Sequence, residues 1–304
     1  MTGRALSINL VSRDNGVGLS ADMGLLEAVL SSGGHRVERV EWTRRQMRRC
    51  DVAIFLELWN PTLARFARRT VGVFNLEWFQ DAWKRHLSGI TQLWAKSLES
   101  HRAYEALGLS RSTYTGFASR DLNDPSVGRE LRCLHLRGHS DFKGTHAVLD
   151  AWRKYPDLPP LTIISAVKFP VPGNVTLLPR LSAEDLRREM NRHAIHVCPS
   201  KSEGWGHYIT EALSVGAAVV TTNASPMNEH VASEWGVLVD PERINPRGMV
   251  HEYHVEGRLL AKGVREAVAW PPERRADAAR KAREHFDRRN ATFSATALDL
   301  LSRI

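Results

Sequence analysis

Short apolar runs rich in β-branched residues alternate with stretches of helical periodicity, the alternation breaks once, and then it starts again. The first series holds strand candidates at 5–12, 35–42, 51–58, 70–75, 90–97 and 112–117. Residues 51–58, DVAIFLEL, are apolar without alternation, as in a parallel strand covered on both faces. Met23, Leu26 and Leu30 recur at helical spacing before Gly33 and Gly34, and residues 97–108 read as a helix ending in glycine. Residues 119–130, SRDLNDPSVGRE, are polar and carry proline and glycine, which marks a boundary. The second series places strands at 131–138, 161–167, 174–179, 194–200, 217–222 and 236–240. Between them lie a loop and helix over 141–155 and helices over 182–193 and 207–215, the second opened by Ser182 as N-cap. Two or three basic helices follow residue 240.

Strands that alternate with helices pair in parallel, because each connection is long enough to cross over the sheet. Met twice, the pattern predicts an α/β chain of two doubly wound, Rossmann-like domains. One spans 1–125 and the other 126–304, with the final helix able to pack back on the first. A length of 304 residues suits two domains that each bury a core. In such sheets ligands bind beyond the carboxyl ends of the strands. The loops to watch therefore follow residues 12, 75, 136, 165, 200 and 222.

Several classes are set aside by what the chain lacks. The first residues have no long apolar stretch of a signal peptide, and no run approaches the ~18 apolar residues of a membrane span. Cys50, Cys133 and Cys198 are odd in number and far apart, which reads as reduced thiols in a cytoplasmic chain. The net charge of +8 is concentrated in the runs 43–49, 187–189 and 274–283. Solvated helix faces account for most such runs; an anionic membrane surface or a phosphorylated ligand are the sharper readings. Zinc-finger spacing, an RNP-type motif and an Arg/aromatic repeat are all missing, so no nucleic-acid partner is expected.

The stretch SEGWGHYITEALSVGAAVVTT, residues 202–222, resists reading as plain core. Glu203 precedes Gly204-Trp205-Gly206, and Glu211 follows after seven intervening residues. Ile209, Ala212, Leu213 and Gly216 form the apolar stripe of the helix, and Glu211 lies off it. Glycines let backbone N–H groups approach a ligand, and a helix N-terminus favours an anion. Acids for hydroxyls beside a helix end for phosphates would suit a nucleotide sugar. The plainer alternative is one acid near the helix start and one on its solvent face.

The stretch CPSKSEGWGHYITEALSVGAAVVTTNASPMNEHV resembles the acid-x7-acid signature of nucleotide-sugar glycosyltransferases of family 4 (group 1), which have the GT-B fold. The upstream RGHSDFKGTHAVLDAW is similar to that family's segment before the first helix of the C-terminal domain, and the likeness covers roughly residues 131–240. It implies two Rossmann-like domains facing across a cleft, with a short N-terminal domain for the acceptor. It also implies retaining transfer from a nucleotide-diphosphate sugar to a glycan, lipid-linked or small-molecule hydroxyl acceptor. Glu203 would contact sugar hydroxyls, Glu211 the ribose and Lys143 the diphosphate. Arg137 is offset by one from the family's arginine, whose place Gly138 takes. His207 would donate to sugar or phosphate. Gly204, Trp205, Gly206, Tyr208 and Ile209 would complete the donor-binding set, with Trp205 as a wall of the sugar site.

In the first domain the family often carries a histidine where this chain has Asn75, Leu76, Glu77 and Trp78. Asn75 is placed to donate to the transferred sugar and Glu77 to orient the acceptor or act as base; a capping Asn and a surface Glu are the alternatives. Gly16 and Gly18 would face the diphosphate, although GxG without a third glycine is a weak nicotinamide signal. No Asp-x-Asp pair occurs, so no metal and no cofactor beyond the co-substrate are expected. Neutralisation of the leaving diphosphate would come from Lys143, a basic partner and helix N-termini. Competing readings are a GT-B epimerase or phosphorylase, or a degenerate module that binds nucleotide or glycan without turnover. The arginine run 43–49 would touch an anionic surface at the inner membrane face.

Overall fold

A computed structural model describes residues 4–14, 16, 18–138 and 140–304. Asn15 and Val17 of the glycine loop and His139 of the segment before Lys143 lie outside the described residues. The chain divides into two compact units. Unit 1 comprises residues 1–120, 246–250 and 288–304, and unit 2 comprises 121–245 and 251–287.

Unit 1 is built on a six-stranded parallel sheet: β1 (Ser7–Ser12), β2 (Arg36–Glu41), β3 (Cys50–Leu56), β4 (Ala67–Val73), β5 (Gln92–Ala95) and β6 (Ser112–Tyr114). The spatial order is β2-β1-β3-β4-β5-β6. β3 lies between β1 and β4, and its residues 52–56 are completely buried, which is why that run shows no polar alternation. The helix Gly18–Ser32 buries Leu19, Met23, Leu26 and Leu30, a stripe at helical spacing. Ser97 caps the helix Leu98–Ala106 by accepting from the Ser100 N–H. Residues 288–304 of the terminal helix belong to this unit: Phe293 meets Phe117 at 4.6 Å between ring centroids, and Asn290 exchanges two hydrogen bonds with the Ser119 backbone.

Unit 2 holds the second parallel sheet: β7 (Glu130–Leu136), β8 (Leu161–Ile164), β9 (Val175–Leu178), β10 (His193–Cys198), β11 (Ala218–Thr222) and β12 (Gly236–Val239). Its order is β12-β11-β10-β7-β8-β9. Ile195, Val197 and Val220 meet Trp152, Leu260, Val264 and Trp270 in one core, so helices on the sheet face close it. Ser182 caps the helix Ala183–Arg192 through the Asp185 N–H. Cys50, Cys133 and Cys198 are buried free thiols, and no helix among the described residues is long and apolar enough to cross a membrane.

Three expectations need correction. After residue 240 the chain does not pass directly into helices: β13 (Arg243–Arg247) and β14 (Val250–His254) pair as a two-stranded sheet around Gly248, whose φ is +58°. Those segments carry Pro246 and many charges, and their extended form comes from pairing rather than from composition. The basic run 43–49 is not a helix face but a largely exposed loop between β2 and β3. One-turn helices at Pro61–Ala64 and Lys84–Leu87 were invisible because four residues are too few to show a period.

Trp152 is 1% exposed, and its indole N–H donates to the Pro159 carbonyl at 2.9 Å. Trp152→Ala should therefore lower stability by about 3–5 kcal/mol, read as a fall in the denaturation midpoint.

Candidate functional site

In unit 2 the strand order reverses at one place. β8 and β9 lie on one side of β7, and β10 with its successors lies on the other. The connections after β7 and β10 leave in opposite directions and open a crevice beyond the strands' carboxyl ends. The two loops that meet there carry Lys143 and Glu203.

Ser140 opens the short turn Asp141–Lys143 by accepting from the Phe142 N–H. The Phe142 carbonyl accepts from the Lys201 N–H at 2.7 Å, which ties the first loop to the second. Gly144 then turns the chain with φ +72°, and a Cβ there would lie 2.0 Å from the Pro199 carbonyl oxygen. Only glycine permits both the turn and the close approach. As a result, Lys143 Nζ donates to Glu203 Oε1 at 2.7 Å. Ser200 Oγ donates to the same carboxylate oxygen and also bonds the Tyr208 hydroxyl. Lys143 Nζ lies 4.0 Å from the centroid of the Tyr208 ring, a cation–π contact. The Lys143 and Glu203 side chains retain 20% and 11% exposure, enough for a ligand to reach both.

Gly206, with φ +95°, immediately precedes the helix His207–Ser214, and no side chain caps that N-terminus. Such an end carries oriented N–H groups and partial positive charge. Every residue from Tyr208 to Ser214 is buried, and Glu211 is 4% exposed. Glu211 is therefore not on a solvent face, and an acid buried in an all-round buried helix is costly unless it has a purpose. Gly204 is buried in the same loop, and His207 is half-buried at the first helical position.

Some predicted contacts change character. Trp205 is 3% exposed and sets its ring against His230, with centroids 4.3 Å apart, so its indole packs and does not wall an open site. Tyr208 and Ile209 are also buried, which leaves their backbone rather than their apolar surface for a ligand. Arg137 follows β7 directly and pairs with Asp141 at 3.3 Å. It joins Lys143 electrostatically: both cations help to hold the His135 imidazole uncharged.

Unit 1 holds the other candidates. Asn75 occupies the position before a short turn at Leu76–Trp78 but does not cap it with its side chain. Its amide oxygen instead accepts from Lys96 Nζ at 3.0 Å, and its nitrogen donates to Glu57 at 3.2 Å. Glu77 is half-buried, and its carbonyl accepts from Arg247 Nε at 3.2 Å. Gly16 has φ +65° and donates to Asp14, and Gly18 starts the first helix. Sequence reasoning missed Ser200, Glu57 and Lys96 as site members. A serine or an acid beside a strand end carries no periodic signal, although the Pro199-Ser200 pair lay within the quoted motif.

The comparisons with known proteins come to bear on this geometry. Residues 165–284 match the family described as glycosyl transferases, group 1. HepE of Anabaena, crystallised with UDP and glucose, superposes with TM-score 0.72 at 16% identity, covering 98% of this chain and all of that one. A glycosyltransferase of Rickettsia africae gives TM-score 0.74 at 12% identity over 98% of each chain. Sucrose-phosphate synthase of Thermosynechococcus elongatus gives 0.70 at 12% identity over 99% of each. No curated protein matches the sequence. At these identities the likeness to solved structures establishes the fold. The fold is GT-B.

Two buried histidines make unit 2 sensitive to acid. His135 donates to or accepts from Val197 O and Thr145 Oγ1, and burial pulls its pKa from 6.5 down to about 4. Burial likewise pulls His196 down to about 3. Below pH 6.5 the unfolded chain binds these protons and the folded one does not, so stability should fall as pH drops toward 4. His135→Gln should flatten that slope in pH-dependent melting. Gly144→Ala should separate the two loops and weaken any ligand held by Lys143, measured as a loss of ligand-induced thermal shift.

Proposed function

We propose that this chain is a retaining glycosyltransferase of family 4 type that takes its sugar from a nucleotide diphosphate. The observation that carries the reading is the Lys143–Glu203–Ser200 cluster at the strand-order reversal of unit 2, followed within the same loop by the uncapped helix end at His207. This cluster combines one cation for phosphate with an acid that accepts from hydroxyls. UDP-sugars are the first donors to consider, since HepE was crystallised with UDP and with UDP-glucose.

On this reading the diphosphate takes Lys143, with Arg137 as a second cation, and the N–H groups of the helix start. Glu203, released from Lys143, accepts from sugar hydroxyls, His207 donates to sugar or phosphate, and Glu211 holds the ribose. The anomeric carbon–oxygen bond to the diphosphate breaks, and the acceptor oxygen bonds to the same face of the sugar. The acceptor proton passes to the departing phosphate oxygen, so no protein nucleophile is needed. Charge neutralisation by side chains and backbone makes the step independent of a metal. Asn75 and Glu77 of unit 1 serve the acceptor side. A lipid-linked acceptor would give the exposed arginines of the 43–49 loop an anionic surface to meet.

Melting curves with UDP, GDP, ADP, CMP and dTDP test the donor. One nucleotide should stabilise the wild type by about 2.7 kcal/mol at a hundredfold excess over its Kd. Glu211→Ala should lose most of that shift. Lys143→Ala should lower kcat/KM about 100-fold or more if the lysine stabilises the leaving diphosphate. A wild type that no nucleotide stabilises, and that turns over no nucleotide sugar, would sink the reading.

A further inference from the structure

Unit 1 has its own strand-order reversal, between β1 and β3, with β2 on the far side of β1. The residue that leaves β1 there is Arg13, and the residue that leaves β3 is Glu57. Glu57 is the single non-glycine with positive φ among the described residues, at +61°. The Leu58 N–H bonds back to the Leu56 carbonyl at 2.7 Å, so Glu57 is the centre of a γ-turn of the rare, strained hand. Glycine would occupy this position without that strain. A side chain kept there in spite of it points to a task.

The carboxylate is held from below by a chain of hydrogen bonds across successive strand ends. Glu57 Oε2 accepts from Asn75 Nδ2 at 3.2 Å, just past β4. Asn75 Oδ1 accepts from Lys96 Nζ at 3.0 Å, just past β5. Lys96 Nζ donates to Asp22 Oδ2 at 2.5 Å and lies 4.4 Å from the Phe117 ring centroid. The Lys96 and Asp22 side chains are 1% and 2% exposed. A buried ion pair of this kind adds little net stability, but it fixes geometry well. Its effect is to lock Asn75, and through Asn75 one oxygen of Glu57. The other oxygen, Oε1, meets the Arg13 guanidinium at 3.5 Å, and Arg13 is 57% exposed.

The geometry points to Glu57 and Arg13 as a recognition pair for a vicinal diol, the paired hydroxyls of a sugar. The carboxylate accepts from one hydroxyl, and the guanidinium donates to the oxygen of the next. Calling that sugar the acceptor rests on the glycosyl-transfer reading; the pairing itself does not. Lys96, Asp22 and Asn75 are positioning residues that act through Glu57.

Saturation-transfer NMR with methyl glucoside, mannoside, galactoside and N-acetylglucosaminide reads weak binding directly on the full chain. At least one glycoside should bind the wild type saturably. Glu57→Gln keeps the shape but removes the charge, and should weaken that binding about tenfold or more. Glu57→Gly relieves the turn, so it should melt no lower than wild type yet lose the glycoside. Arg13→Ala should weaken binding without changing the melt. If no glycoside binds the wild type, or if Glu57→Gln binds as well as wild type, the assignment is overturned. UDP-induced thermal shifts on the same proteins separate the two proposals. A UDP shift that survives in Glu57→Gln while the glycoside is lost supports both. Glycoside binding lost in Glu57→Gln, with no nucleotide shift in any protein, keeps the diol site and removes the donor reading.

Discussion

Parallel strands put all their carboxyl ends at one edge of a sheet, and wherever the strand order reverses, two connections part and leave that edge uncovered. Both sheets of this chain obey the constraint, and the unusual side chains gather where it acts. In unit 2 the reversal lies between β7 and β10, where Lys143, Ser200 and Glu203 meet. In unit 1 it lies between β1 and β3, where Arg13 and Glu57 meet. Strand order, more than any single interaction, explains why residues 60 positions apart in sequence share one hydrogen bond.

Backbone conformation then sets how close the loops approach. Gly144 is crowded by the Pro199 carbonyl and takes positive φ, while Gly206 takes positive φ directly before a helix. With glycine at 144, the lysine before it can reach the acid three residues beyond Ser200. Without a ligand, Lys143 and Glu203 satisfy each other. A buried or half-buried cation and anion need partners at all times, and an ion pair that a diphosphate can open supplies them in both states.

The two sites differ in how they are stiffened. Around Lys143 the support is local: a serine, a tyrosine hydroxyl and two glycine turns from adjacent loops. Around Glu57 it is relayed across the sheet edge, from Asp22 through Lys96 and Asn75. A relay of this kind depends on every member being satisfied, since an unpaired charge at the 1% exposure of Lys96 would be strongly destabilising.

By itself the sequence determined what local spacing can encode. Alternating runs and helical stripes announced two parallel sheets, Ser97 and Ser182 announced their helices, and Glu203, Gly206 and Glu211 marked one loop and helix as unusual. Periodicity and capping act over a few residues, so they are readable without knowing the fold. Tertiary structure alone decided that Trp205 packs on His230 and that the charged segment 243–254 forms a hairpin. It alone decided that Glu57, one residue past an apolar strand, is joined to Asn75 and Lys96. Those outcomes depend on which strand lies beside which, and neighbours in a sheet are set by long-range packing that no window of the chain contains.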